Sequence, residues 1–235
     1  MTFRIVIPAR IASQRLHQKM LADIAGIPMV IRTWTRARLA GAESVVIATD
    51  DTRIMEVAHA HGADAVLTGA HPTGTDRVAE AVRLCGWPAD ALVINVQGDE
   101  PLVAPEDIVA AGEALARSDA DMATLSVPLR RAERDCDSVV KVVGSCGRAH
   151  WFSRAGLPGA GRHLGIYAWR VASLFKFSLL PRTYYEQVEM LEQLRAIEHG
   201  MLVKLREVPE ALSISVDTQD DLARVRAQFQ KGEIG

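Results

Sequence analysis

Short apolar runs alternate with helical patterns through the first half of this chain of 235 residues. The apolar runs cover residues 3–8, 44–49, 64–67, 92–96 and 122–128, and helical patterns lie between them at about 28–40, 52–61, 75–85 and 106–117. The apolar runs contain few polar residues, which is typical of strands that are covered by helices on both faces. This order predicts an α/β fold, with a mostly parallel, doubly wound sheet and right-handed crossovers.

The pattern changes after about residue 128 and predicts a smaller, more antiparallel half of the same domain. The elements expected there are a hairpin over 139–152, a strand at 164–169, a long helix at 184–199, short strands at about 202–207 and 213–216, and a final helix at 219–230. No internal repeat or long linker divides the chain, so we expect a single mixed α/β domain.

Composition limits the classes of function that this chain can serve. The net charge is −2, so no broad basic face for nucleic acid is expected and any anion site must be local. We find no signal peptide and no apolar stretch of transmembrane length. The three cysteines lack the spacing of a metal site and fit reduced thiols. We therefore expect a soluble cytoplasmic protein that does not enter a membrane.

Three cations follow the first predicted strand within one loop. Arg10, Arg15 and Lys19 are separated by small and polar residues. Because the strand before them delivers this loop to the carboxyl edge of the sheet, the cations lie where open α/β folds bind ligands. Guanidinium groups pair bidentately with phosphate oxygens, so the loop predicts a polyphosphate site. The alternative is a solvated basic loop without a ligand.

Two aspartates follow apolar runs and are candidate ligands of Mg²⁺. Asp99 comes directly after the most hydrophobic run, and Asp217 follows the apolar residues near 214–216. Mg²⁺ prefers oxygen ligands and usually retains water and substrate phosphates. Gly98 would let the backbone approach a ligand closely. The alternative for both aspartates is a turn or a helix cap, and it holds for Asp217 unless that residue meets Asp99 in space.

Residues 73–77 predict an anion site at a helix N-terminus. Small residues leave the backbone amides there accessible, and Arg77 would add a positive charge. Thr49 and Asp50 end the second strand in the same layer, so they are expected to line the same cleft. The alternative is an ordinary threonine cap without a ligand.

Glu189 and Gln193 lie four residues apart in the predicted long helix, which places them on one helical face. They could hydrogen-bond a polyhydroxylated ligand, and Arg154 and His163 are candidates for the same pocket. For each of these residues a purely structural role is the alternative.

The motifs together resemble one known family. They are, in order, Ile-Pro-Ala-Arg at 7–10, Ala-Thr-Asp at 48–50, Gly-Thr-Asp-Arg at 74–77, Asn-Val-Gln-Gly-Asp-Glu-Pro at 95–101, Phe-Ser-Arg at 152–154, His-Leu-Gly-Ile-Tyr at 163–167, Glu-Met-Leu-Glu-Gln-Leu-Arg at 189–195 and Val-Asp-Thr at 216–218. Over residues 3–229 the chain resembles the 3-deoxy-manno-octulosonate (Kdo) cytidylyltransferases, also called CMP-Kdo synthetases. Sialic-acid cytidylyltransferases share only the general form of the first loop.

The resemblance implies a Rossmann-like nucleotide-diphospho-sugar transferase fold that is usually a homodimer. It implies that CTP and Kdo give CMP-Kdo and pyrophosphate, with Mg²⁺ as cofactor, for lipopolysaccharide or capsule. The nucleotide-binding part would span 1–128, the sugar-binding and dimerisation part 129–200, and the return to the main sheet 201–235. The implied nucleotide-binding residues are Arg10, Ser13, Arg15, Lys19, Thr49, Gly74, Arg77 and Gln97. Asp99 and Asp217 would hold Mg²⁺, and together with Arg10 and Lys19 would carry catalysis. The implied sugar pocket comprises Arg154, His163, Tyr167, Glu189 and Gln193.

The chain departs from the family pattern at two places. The first loop reads Arg-Leu-His-Gln-Lys at 15–19, where the family usually has Arg-Leu-Pro-Gly-Lys. The segment 155–162 is shorter than its usual counterpart in the family, is rich in glycine and lacks an aromatic residue. In the family this stretch borders the sugar side. Two alternatives therefore stay open: the same reaction on a related acid such as 8-amino-3,8-dideoxy-octulosonate, or a nucleotide-binding protein that has lost catalysis.

Overall fold

A computed structural model of the chain describes residues 1–12, 16–210 and 213–231. The first half contains the strands β1 (Arg4–Ala9), β2 (Asp23–Ile24), β3 (Ile27–Pro28), β4 (Ser44–Thr49), β5 (Asp64–Leu67), β6 (Leu92–Val96) and β7 (Met122–Pro128). Between them lie the helices α1 (Met29–Arg38), α2 (Thr52–Ala60), α3 (Gly74–Leu84) and α4 (Pro105–Ala116). These bounds confirm the elements predicted for this half to within two or three residues.

The second half contains the hairpin strands β8 (Lys141–Ser145) and β9 (Arg148–Ser153), followed by β10 (Gly161–Arg170) and β11 (Val203–Glu207). Its helices are α5 (Val171–Leu179), α6 (Tyr184–Glu189), α7 (Gln193–Glu198) and α8 (Gln219–Gln230). The predicted hairpin and final helix are confirmed.

Within the described residues, nine strands form one sheet in the order β5-β4-β1-β6-β10-β7-β11-β9-β8. Strands β5, β4, β1 and β6 are parallel to one another, and β11 is parallel to β7. The long strand β10 runs antiparallel between β6 and β7, so it joins the parallel part to the hairpin half. The prediction of a mostly parallel α/β sheet with a smaller antiparallel half is confirmed.

Helices cover both faces of the sheet, as the apolar strands require. On one face Ile5 and Ile94 pack with residues of α1, α2 and α4, while Val6 and Val93 point to the other face and pack with α3, α5 and α7. A third apolar cluster joins α8 to the region around β2 and α1 through Leu222. The site-bearing loops therefore emerge from a core that is packed on both sides.

Two predictions about the second half are wrong, and one helix of that half was missed. The helix expected over 184–199 is interrupted, because Met190 has a left-handed backbone (φ 55°) that ends α6. Residues 213–216 are extended without forming a strand, although the Val216 N–H donates to the Asp99 carbonyl at 2.9 Å. Helix α5 was not predicted.

No helix among the described residues is long and apolar enough to cross a membrane.

Candidate active site

A cavity of about 1020 Å³ opens at the carboxyl ends of β1 and β6 and extends along β10. Strand geometry explains its place, because parallel strands deliver their following loops to the same edge of the sheet. The predicted site residues that line it are Arg10, Lys19, Gly74, Arg77, Gln97, Asp99, Arg154, His163, Tyr167, Gln193 and Asp217. The structure therefore brings together residues from both halves of the chain.

The first loop brings two of its three predicted cations to this cavity. Arg10 follows β1 directly and is exposed, whereas Lys19 is only 8% exposed. Lys19 begins a short 3-10 helix, Lys19–Leu21, after Gln18 in a left-handed conformation. Ser13 and Arg15 lie outside the described residues, so their predicted roles stay predictions.

Asp99 and Asp217 meet at the ammonium group of Lys19. The Lys19 Nζ lies 2.6 Å from Oδ2 of Asp99 and 3.0 Å from Oδ1 of Asp217. Burial by itself lowers the pKa of Lys19, but the charges and hydrogen bonds of both carboxylates outweigh it and raise that pKa above 10.5. Two carboxylates 118 positions apart in sequence therefore converge on one buried positive charge.

This convergence fits a divalent cation. Two carboxylates that already share one ammonium can also share a metal ion, and Mg²⁺ commonly takes only one or two carboxylates and completes its shell with water and phosphate. Within the described ranges no group of three or more His, Cys, Asp or Glu side chains could hold a metal. The donor set therefore suits a cation that arrives with a phosphate ligand.

Gly98 serves the packing of the loops around these carboxylates. A Cβ atom on Gly98 would lie 2.9 Å from Sδ of Met20 and 3.0 Å from the carbonyl oxygen of Pro8. The close backbone approach observed at Gly98 is made to Pro8 of β1 and to Met20, and the expected ligand contact there stays a prediction.

The N-terminus of α3 already holds an anion from the same chain. The Glu192 carboxylate accepts the Thr75 N–H at 3.1 Å and the Thr75 hydroxyl at 2.7 Å. The Thr73 hydroxyl caps the helix by accepting the Asp76 N–H at 3.2 Å. Desolvation raises the pKa of Glu192, although its bonds to Thr75 oppose that shift. The first turn of α3 thus binds a carboxylate of the same chain, and the predicted binding of a ligand anion there stays a prediction.

Arg77 faces the cavity from α3 but is paired within the protein. Its Nη2 lies 2.7 Å from Oδ2 of Asp50, and its Nη1 donates to the Thr68 hydroxyl at 2.5 Å. The predicted contribution of Arg77 to an anion site is therefore offset by Asp50. Thr49 is fully buried and its hydroxyl accepts the Asp51 N–H, so the structure does not bring Thr49 to the cavity.

Gly74 and Gln97 meet on the wall between β6 and α3. A Cβ on Gly74 would lie 3.2 Å from Oε1 of Gln97, so the absent side chain leaves room for the amide. Gln97 in turn donates to Oδ1 of the buried Asn95 at 3.4 Å. These contacts orient a side chain with one donor and one acceptor group toward the cavity.

His163 and Tyr167 lie on β10, at the far end of the cavity. Burial lowers the pKa of His163 to about 3, so its imidazole is neutral near pH 7. Its Nε2 lies 2.9 Å from the Thr124 hydroxyl, which also donates to the Ile166 carbonyl at 2.8 Å. Burial also raises the pKa of Tyr167 well above 10. The His163 imidazole and the Tyr167 phenol are therefore polar groups that carry no charge near pH 7.

Glu189 and Gln193 belong to different helices, and the prediction that they share one helical face is wrong. The Glu189 carboxylate accepts the Ser153 hydroxyl at 2.7 Å and the Arg154 N–H at 2.9 Å. The Arg154 Nε donates to the Glu189 carbonyl at 2.9 Å. Glu189 thus holds Arg154, while Gln193, which is buried, lines the cavity from the start of α7.

Sequence reasoning missed a buried ionic cluster behind this wall. The Arg195 guanidinium is 2% exposed, lies 2.7 Å from Oε1 of Glu186 and 3.0 Å from Oδ1 of Asp76, and stacks 4.4 Å from the Phe177 ring centroid. The only local signal was the Thr183–Glu186 capping box, which predicts a helix start at α6. The pairing with Asp76 on α3 has no local signal, because it depends on packing.

Comparison with known proteins gives the family of the chain. The sequence model of the family described as cytidylyltransferase matches residues 4–205. The chain is 44% identical over 251 residues to a 3-deoxy-manno-octulosonate cytidylyltransferase of Acidovorax sp. (strain JS42), with 95% of this chain and 96% of the relative covered. It is 43% identical over 255 residues to the protein of the same name from Cellvibrio japonicus (strain Ueda107), with 99% and 100% covered.

Solved structures agree with the sequence relatives. The CMP:2-keto-3-deoxy-manno-octonic acid synthetase complexed with CTP superposes with a TM-score of 0.91 at 37% identity and covers 99% of this chain and 100% of that one. A cytidylyltransferase from Leptospira borgpetersenii shares the fold at a TM-score of 0.66 and 17% identity. Since the family motifs, the matched family model and the full-length relatives all agree, the chain belongs to the 3-deoxy-manno-octulosonate cytidylyltransferase family.

Proposed function

We propose that this protein transfers CMP from CTP to the anomeric hydroxyl of Kdo, giving CMP-Kdo and pyrophosphate. The observation that carries the proposal is the convergence of Asp99 and Asp217 at Lys19, beside the exposed Arg10, in one cavity at the carboxyl edge of the sheet. A nucleoside triphosphate needs both features: cations for its phosphates and carboxylates for the metal that accompanies it.

Arg10 and Lys19 are proposed to bind the triphosphate, together with Ser13 and Arg15. Gly74 and Gln97 are proposed to contact the nucleotide, with Arg77 beside it. The uncharged Gln97 amide suits a base or ribose, because it offers both a donor and an acceptor. Thr49 is proposed to act indirectly. Its backbone carbonyl accepts a hydrogen bond from the Thr68 hydroxyl, and that hydroxyl accepts one from the Arg77 guanidinium.

Asp99 and Asp217 are proposed to hold Mg²⁺, which when bound would neutralise phosphate charge and favour ionisation of the attacking hydroxyl. In the reaction the anomeric oxygen forms a bond to the α-phosphorus, the bond to the pyrophosphate oxygen breaks, and the hydroxyl proton is released. Arg10 and Lys19 would stabilise the negative charge that develops on the departing pyrophosphate. Positioning and electrostatics then supply most of the rate, because phosphoryl transfer needs little covalent help from the protein.

Arg154, His163, Tyr167 and Gln193 are proposed to form the sugar pocket. Arg154 is the cation among them and suits the carboxylate of a sugar acid, while the neutral His163, the phenol and the amide suit hydroxyl groups. Glu189 is proposed to contribute by fixing Arg154, which it contacts twice.

The remaining properties follow from the family resemblance and are also proposals. We infer that the protein is a cytoplasmic homodimer, that residues 1–128 bind the nucleotide and 129–200 bind the sugar and form the dimer contact, and that the product enters lipopolysaccharide or capsule synthesis.

The first test is pyrophosphate release with CTP, Mg²⁺ and Kdo, with mass spectrometry of the product. Parallel reactions contain 8-amino-3,8-dideoxy-octulosonate or sialic acid, because residues 155–162 are short on the proposed sugar side. Turnover with Kdo is expected. Turnover with another acid but not with Kdo would mean that the proposed reaction is right and that the sugar acid is a different one. CTP binding without turnover of any acid would indicate a nucleotide-binding protein that has lost catalysis.

Asp99→Asn and Asp217→Asn test the metal proposal. Each removes one negative charge from the cation site, so turnover at limiting Mg²⁺ is expected to fall by about 100-fold or more. The matched control is Asp220→Asn, an exposed carboxylate in the first turn of α8. Near-normal turnover of either site variant would contradict the assignment.

A further inference from the structure

Lys19 stands in two proposed roles that its side chain cannot fill at once. Lys19 is proposed to bind the triphosphate, but in the structure its Nζ lies between the two carboxylates proposed for Mg²⁺, 2.6 Å from Asp99 and 3.0 Å from Asp217. Its side chain is 10% exposed, so this contact is part of the interior of the site.

We propose that Lys19 is an internal substitute for the metal: its ammonium holds Asp99 and Asp217 together in the metal-free protein, and metal binding releases it to the phosphates. This inference rests on the proposed metal site and adds a mechanism by which metal and nucleotide binding depend on each other.

The geometry makes the two cations compete. The ammonium contacts Oδ2 of Asp99 and Oδ1 of Asp217, so a divalent ion that is shared by the same two carboxylates would lie beside it. The ammonium and a metal ion bound by the same two carboxylates would repel each other strongly in a partly buried site. A metal ion bound by these carboxylates therefore weakens the hold of the carboxylates on the ammonium.

The position of Lys19 allows the exchange. The first loop lines the same cavity through Arg10 and Lys19, so a released ammonium stays beside the proposed phosphate site. A lysine carries its charge on a flexible four-carbon stem, and it can change partners by side-chain rotation alone. Met20 next to it is buried against Gly98, which keeps the backbone of this turn in place during the exchange.

The exchange predicts positive coupling. Metal binding would add Lys19 to the cations available for the triphosphate, and a bound triphosphate would remove Lys19 from the carboxylates. By linkage, each must strengthen the binding of the other by the same factor.

The first experiment measures Mn²⁺ binding without nucleotide, by loss of the free-ion paramagnetic resonance signal. Lys19→Met is expected to bind Mn²⁺ at least about tenfold more tightly than the wild type, because the competing charge is gone. Arg10→Met is the matched control. Arg10 is a cation of the same cavity, but among the described contacts it has none with these carboxylates, so its removal is expected to change the Mn²⁺ affinity by less than about threefold. Equal effects of the two substitutions, or weaker binding by Lys19→Met, would overturn the proposal.

The second experiment measures CTP binding by calorimetry without sugar, so that no turnover occurs. Lys19→Met is expected to lose little CTP affinity in EDTA and at least about tenfold in Mg²⁺. An equal loss under both conditions would mean that Lys19 contacts phosphate regardless of the metal, which contradicts the exchange. Lys19→Gln repeats both measurements, and thermal melting verifies that each variant is folded.

These outcomes separate the inference from the function on which it rests. If wild-type protein binds no Mn²⁺, or if Asp99→Asn binds it normally, the proposed metal site is wrong. If metal binding requires both aspartates but is indifferent to Lys19, the metal site stands and the exchange is wrong.

Discussion

At the scale of single residues, buried polar groups decide the chemistry of the cavity more than exposed ones do. His163 illustrates this, because burial without a charged partner favours its neutral form, while the Thr124 hydroxyl satisfies its Nε2. Lys19 is the opposite case, since two carboxylates raise its pKa in spite of burial. Both residues occupy the same cavity, yet their neighbours hold them in opposite charge states.

His163 is expected to make the protein sensitive to acid. Its pKa is about 3 when folded and 6.5 when exposed, so the unfolded chain takes up a proton first as the pH falls. Stability is therefore retained above pH 6.5 and lost from there toward pH 3; between pH 7 and 5 this group should remove about 2 kcal/mol from the free energy of unfolding.

Urea unfolding of wild type and His163→Gln at both pH values measures this contribution. The variant is expected to lose less stability between pH 7 and 5 than the wild type does. An identical pH dependence of the two proteins would show that His163 does not titrate as inferred.

At the scale of elements, a buried ionic cluster joins the helices that flank the cavity. Arg195 on α7 links Glu186 on α6 to Asp76 on α3, and Glu192 reaches the first turn of α3. These contacts hold the interrupted helix pair α6–α7 against the helix that bears Gly74. The cluster therefore sets the distance between the proposed nucleotide and sugar walls.

Arg195→Met is expected to destabilise the protein by about 3 kcal/mol, because it leaves the buried Glu186 carboxylate without its main partner. Arg182→Met is the matched control: it contacts the same carboxylate from a position whose side chain is 36% exposed, so a loss below about 1 kcal/mol is expected. Chemical denaturation measures both. Similar losses for the two substitutions would show that burial does not govern this cluster.

At the scale of the whole molecule, one group of exposed apolar side chains lies on and directly after α6. Tyr184, Tyr185, Val188 and Met190 extend from α6, and the ring of Tyr185 lies 5.2 Å from that of Trp151 on β9. A patch of this kind marks an interaction surface. It lies in the part of the chain proposed for dimerisation, and we expect it to contact a second copy.

Val188→Lys is expected to shift the proposed dimer toward monomer, because it would bury a charge in that contact. Leu39→Lys is the matched control, since Leu39 is 63% exposed, close to the 61% of Val188, and lies at the end of α1 on the opposite face of the sheet. Sedimentation velocity distinguishes the two. A wild-type monomer, or a dimer unchanged by Val188→Lys, would contradict the placement of the contact.

Sequence patterns alone were enough to predict the order of the strands and helices in the first half, the position of Asp99 after β6, the cations of the first loop and the family. These features depend on residues near one another in the chain: apolar periodicity, caps and motifs are short-range signals. With its 155–162 segment the chain superposes on a solved CMP:2-keto-3-deoxy-manno-octonic acid synthetase with a TM-score of 0.91.

The pairing of charges, in contrast, depends on how the chain packs in three dimensions. Lys19 contacts carboxylates that lie 80 and 198 positions away, Arg77 pairs with Asp50, and Glu192 caps a helix that begins 118 positions earlier. The break at Met190 belongs here too, because its left-handed backbone lets α7 turn Arg195 inward toward α3. Pairings at such separations have no local pattern, since the packing of the sheet and its helices alone brings the partners within hydrogen-bond distance.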